Sequence, residues 1–163
     1  MFWLLPIKDK QITSIVTNGK LEYLDVSSNF LTSLSVDSSL NKMIADDNEI
    51  TSVDLSNAVL LEELNLSQNE LTTIDVTNNT SLKRLELKNN YLSQIDVTNN
   101  TELTYLDISN GSEYCLNGRF VTGENKYSSV DVSKNLMLKT LQFSSVSIKI
   151  LFSQAIFLNF LSQ

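Results

Sequence analysis

Five asparagines recur at one position of a repeating pattern: Asn29, Asn48, Asn69, Asn90 and Asn125. A side-chain amide both donates and accepts hydrogen bonds. A column of them could therefore face a ligand, or could pair the peptide groups of a turning backbone. The second use is expected, because a chain that turns inside a core leaves peptide groups that must be paired. Asp54, Asp75, Asp96 and Asp131 form a second series. Stacked at ~4.8 Å, the strand separation, such carboxylates could attract calcium, which needs about six oxygens from several directions. A solvated or backbone-bonded acidic row is expected instead, and no metal ligand or cofactor is assigned. The chain has no histidine and one cysteine, Cys115. Zinc sites, histidine-dependent catalysis and an intramolecular disulfide are thereby excluded within it. Cys115 has no base or second thiol nearby in sequence, and nothing sets one aspartate's environment apart from the next. No catalytic residue is assigned, and a non-enzymatic protein is expected.

The elements that must position these residues are legible as a repeat. LEELNLSQNELTTIDVTNNTS, from Leu61, is followed by LKRLELKNNYLSQIDVTNNTE, from Leu82. Leu61, Leu64, Leu66, Asn69, Leu71, Ile74 and Val76 return 21 residues later as Leu82, Leu85, Leu87, Asn90, Leu92, Ile95 and Val97. The register extends back through Leu40 and Leu21 to a first unit with Ile12 and Ile15. It extends forward through Leu103 to a last unit opening at Leu138, Leu141 and Phe143, so about seven units are expected. A fixed period of this length indicates a solenoid. Alternation in each LxL segment is strand-like. Two short parallel strands per coil are expected, with little helix. One coil cannot bury enough apolar surface to fold alone, so neighbours must cover its faces.

LxxLxLxxNxL, as in Leu82 to Leu92, resembles the leucine-rich repeat. The 21-residue unit with its second LxxLDV half is similar to the short nested subclass of bacterial, often surface-associated, proteins. The resemblance implies a mostly β, right-handed, curved solenoid that serves as a protein-interaction module. It also implies an extracellular or cell-surface setting. The alternative is a structural or spacer segment of a larger adhesin or enzyme whose activity lies elsewhere.

The outward positions of the first strand should line the concave wall. They run Tyr23, Asp25, Ser27; Lys42, Ile44, Asp46; Glu63, Asn65, Ser67; Arg84, Glu86, Lys88; Tyr105, Asp107, Ser109; and Thr140, Gln142, Ser144. Tyrosine and arginine are favoured interface anchors. Tyr23, Ile44, Arg84 and Tyr105 are therefore the expected protein-binding residues of this wall.

The chain is read as one solenoid, residues 1–163, interrupted by a 14-residue insertion at 111–124. Asn117-Gly118, flanked by β-formers, marks the insertion as a β-hairpin. It either packs down as a flap or presents Tyr114, Arg119 and Phe120 to a partner. The segment 148–163 is mostly apolar and is expected to close the last coil, with a monomer preferred over a homodimer. A net charge of −7 argues against a nucleic-acid partner, which would need a basic stripe. No stretch reaches the ~18 apolar residues of a membrane span, and the first residues lack the basic region of a signal peptide.

Overall fold

The computed structural model describes residues 4–6, 11–16, 21–36, 38–111, 115–116, 119–120, 123–144 and 148–153. The LxL segments form strands, as alternation requires. Leu4–Pro6, Tyr23–Asp25, Lys42–Ile44, Glu63–Asn65, Arg84–Glu86, Tyr105–Asp107 and Thr140–Gln142 join in that order as one parallel seven-stranded sheet. The central residues stack in register, with Leu24 beside Met43, then Leu64, Leu85, Leu106 and Leu141. No helix occurs among the described residues. The fold is a β-solenoid whose core is the column of inward leucines: Leu24, Leu64, Leu85 and Leu106 are essentially inaccessible to water.

The opposite wall is less complete. Ser33–Ser35 pairs with Ser52–Asp54, and Ser129–Asp131 pairs with Lys149–Leu151, both in parallel. Residues 73–75 and 94–96 form no strand. Ladder bonds hold neighbouring strands ~4.8 Å apart. One wall is bonded throughout and the other is not, so the coils can splay only on the second. Looser bonding on the second wall favours curvature toward the seven-stranded sheet, and that sheet is taken as the concave wall. On that second wall lies a depression of about 380 Å³ lined by Thr73, Ile74, Asp75, Thr77, Gln94, Ile95 and Asp96.

The turn after four of the concave strands uses a left-handed residue just before the repeated asparagine. Ser28, Asp47, Gln68 and Asn89 have φ between 53° and 57°. Asparagine and aspartate tolerate that region through local hydrogen bonding. Ser28 and Gln68 hold it because the ladder around them over-determines the turn.

The apolar end of the chain is only partly covered. Leu141, Ile148 and Ile150 pack against the core, while Phe143, Leu151 and Phe152 are exposed. Residues 154–163, expected to close the last coil, lie outside the described residues, as do Phe2, Trp3 and Ile7 of the first unit.

Candidate functional site

The asparagine series is a structural ladder. Asn29, Asn48, Asn69, Asn90 and Asn125 are all buried. In each, Oδ1 accepts from a backbone N–H of the preceding coil: those of Ile12, Leu31, Ile50, Leu71 and Leu92 in turn, at 3.0–3.1 Å. Each Nδ2 donates to carbonyls of its own turn, and from Asn48 onward also to the coil before, as Asn69 does to Leu66 and Ala45. These amides are consumed in stitching coils together and offer nothing to a ligand.

A second ladder escaped the sequence reading. Asn79, Asn100 and Asn135 are fully buried. Their Nδ2 atoms donate to Leu55 and Ala58, Val76 and Asn79, and Val97 and Asn100 respectively, at 2.8–3.0 Å. Their Oδ1 atoms are buried without a hydrogen-bond partner. The signal was present: TNN at 77–79 repeats as TNN at 98–100, and Asn135 keeps the last position. Ala58 stands one coil earlier, its N–H making the same turn bond that Asn79 makes.

The outer aspartates are held locally. Oδ1 of Asp54, Asp75 and Asp96 accepts both the N–H and the hydroxyl of the residue two further on, Ser56, Thr77 and Thr98. Asp131 accepts the N–H of Ser133. These bonds hold all four carboxyls below the usual range. Among the described residues no cluster of three metal-ligating side chains forms.

The concave wall brings Tyr23, Lys42, Glu63, Arg84, Tyr105 and Thr140 into one row by strand register. Lys42 lies 5.8 Å from the Tyr23 ring centre and pairs with Glu63. Arg84 stacks 3.7 Å over Tyr105 while its Nε donates to Glu86 at 2.8 Å. Each such contact is worth about 0.5–1 kcal/mol at an exposed site. Together they fix side chains that would otherwise lose entropy on binding. Ile44 is half-buried in the next row, between Asp25 and Asn65. Asp25 and Asp107 accept from the N–H and hydroxyl of Ser27 and Ser109. The structure thus gathers Tyr23, Ile44, Arg84 and Tyr105 on one face. Tyr114 lies outside the described residues. Arg119–Phe120 forms a strand antiparallel to Cys115–Leu116, with no side-chain placement described.

Asp46 stands in the third row of the wall. Burial pushes its carboxyl up to about 6, against a lowering backbone hydrogen bond; Asp47, Asp25 and Glu86 add to the rise. Between the unfolded value of ~3.9 and about 6, the folded chain holds a proton the unfolded chain has released. Stability from this group therefore falls as pH rises through that window. Asp46→Asn should melt higher than the parent at neutral pH, by up to ~3 kcal/mol. The difference should shrink toward zero in acid. Denaturant titrations across the window measure it, and equal stability at neutral pH would mean that water reaches the carboxylate freely.

The insertion leaves the wall through a narrow neck. Asn110 Nδ2 donates to the Asn125 carbonyl at 3.0 Å, and Asn125 N–H donates to Asn110 Oδ1 at 2.8 Å. Gly111 N–H donates to Asn89 Oδ1. Ser144 Oγ accepts from Asn110 N–H and donates to the Asn110 carbonyl. At Gly123 a Cβ would sit 2.6 Å from the Asn89 carbonyl oxygen, so only glycine fits beside that backbone. The amide of Asn110 bridges the splice, and Asn125 resumes the ladder beyond it.

The Leucine Rich Repeat family model matches residues 20–43, and the LVIVD repeat model matches residues 97–122. No curated protein matches the chain. Among solved structures, the functional domain of InlJ from Listeria monocytogenes, described as including a cysteine ladder, is similar with a TM-score of 0.58 and 29% identity. The likeness covers 77% of this chain and 30% of that one, so the chain spans about a third of its neighbour's length. With one cysteine, the present chain builds its ladders from asparagine.

Proposed function

The chain is a leucine-rich-repeat protein of bacterial type, and from that premise we propose that it is a non-enzymatic protein-interaction module that binds through its concave wall. One observation carries the reading: the wall holds Tyr23, Lys42, Glu63, Arg84 and Tyr105 in a row, braced in two groups, Tyr23–Lys42–Glu63 and Arg84–Tyr105, before any partner arrives. Pre-ordered aromatic and arginine side chains lose little entropy on association, which is what a binding hot spot requires. Tyr23, Ile44, Arg84 and Tyr105 are the proposed contacts on the wall, with Tyr114, Arg119 and Phe120 of the insertion beside them. The proposed unit is a single solenoid, residues 1–163, with 111–124 as an appended hairpin and 148–163 as the closing segment, acting as a monomer. An extracellular or cell-surface setting is the proposed location, supported by the resemblance to surface-associated bacterial repeats. Among the described residues no helix is long and apolar enough to cross a membrane.

A second reading, a spacer segment of a larger protein, is favoured by the short span of the InlJ chain that this one covers. Photocrosslinking separates the two. A crosslinking residue at Tyr105 should capture one protein from the native source that the same residue at Gln94, on the opposite wall, does not. Arg84→Ala should weaken that complex by about 30-fold, the effect of a hot-spot contact. Equal capture from both walls, or none from either, would favour the spacer.

A further inference from the structure

We propose that Asn110 is a site of spontaneous covalent modification, its deamidation held back by the closed neck and its product unable to close that neck again. The inference rests on the proposed recognition role of the insertion for its consequence, but not for its chemistry. Asn110 is followed by Gly111, which has no Cβ to shield its backbone nitrogen. That nitrogen can attack Asn110 Cγ. A C–N bond forms, the nitrogen's proton passes through solvent to the departing amide, and ammonia leaves. One water molecule then opens the cyclic imide, giving aspartate or isoaspartate. Nothing is oxidised or reduced.

Three features of the structure control the step. The Asn110 amide is only half-buried, so water reaches it. In the closed neck both its ends are engaged by the Asn125 backbone, at 2.8 and 3.0 Å. The attacking nitrogen is held by Asn89 Oδ1. Attack therefore requires the neck to open first. After conversion, one carboxylate oxygen can still accept from Asn125 N–H. The other replaces an amide donor with an acceptor facing the Asn125 carbonyl oxygen. Two oxygens that both accept repel, and isoaspartate also adds a methylene to the main chain. The insertion is then joined to the solenoid by a loosened neck, which alters how it is presented.

The test incubates the whole chain in mildly alkaline buffer and follows Asn110 by peptide mass mapping, with urea-unfolded chain as reference. Slow conversion in the folded chain and rapid conversion in the unfolded chain are expected. Ser144→Ala should accelerate the folded-state reaction about fivefold, the population change that one lost hydrogen bond produces. Gly111→Ala should suppress it; the atoms nearest the added Cβ are the movable end of Lys88 and the Asn89 amide. Equal rates in folded and unfolded chain would overturn the control by the neck. No folded-state conversion in either the parent or Ser144→Ala would overturn the site. For the consequence, Asn110→Asp should raise proteolytic cleavage within 111–124 severalfold while the solenoid's circular dichroism is unchanged. Cleavage at the parental rate would overturn that half of the proposal. None of these readouts depends on a binding partner, so failure of the interaction reading would leave them intact.

Discussion

Asn69→Ala should destabilise the solenoid by about 3 kcal/mol. The side chain sits between the third and fourth concave strands, and Ile50 N–H donates to its Oδ1 at 3.0 Å. Its Nδ2 serves the carbonyls of Ala45, Leu66 and Ser67 at 2.9–3.2 Å. Alanine would leave those groups without their amide partner in a site that water does not enter, and each unpaired buried group costs about 1–3 kcal/mol. Asn100→Ala offers the contrast. It removes two donor bonds, to Val76 and Asn79, but also an acceptor that is already buried without a partner. The loss there should be smaller, about 1 kcal/mol. Chemical denaturation of both variants gives the comparison. An Asn100→Ala loss as large as that of Asn69→Ala would show that the second ladder's Oδ1 atoms are paired in solution.

Leu85→Ala should cost about 2–5 kcal/mol, the range for a buried leucine truncated in a packed core. Leu85 is completely buried on the fifth of the seven concave strands, between Leu64 and Leu106. The strands on either side are fixed by hydrogen bonds, so the cavity cannot collapse. Ile74→Ala removes a similar volume from the opposite wall. That residue is only half-buried and lines the open depression, so its loss should be less than half as large, given how little apolar area it withdraws from water. Similar losses for both would mean that the two walls are equally tight, contrary to the curvature inferred from their hydrogen bonding.

The sequence by itself determined the parallel solenoid, its period and its inward residues. The reason is that a stacked coil repeats one environment, so a residue type selected once is selected in every turn. Leu64, Leu85 and Leu106 announce a core because nothing else tolerates that spacing, and Asn69 and Asn90 announce paired turns for the same reason. The Leucine Rich Repeat match over residues 20–43 and the likeness to InlJ agree with that repeat class. What only the tertiary structure decided depends on contacts between coils. The bracing of Arg84 by Tyr105 and Glu86 joins two strands 21 residues apart in sequence, and neither residue type alone implies it. The outer wall at 74–76 and 95–97 carries an IDV motif with strand-like alternation, yet forms no strand. Asp46 looks like any exposed acid until the fold buries it, with Asp47, Asp25 and Glu86 nearby. The neck was hidden because Asn110 and Asn125 meet only when fourteen intervening residues loop out. A side chain then stands in for the peptide bond that the repeat would otherwise have placed there.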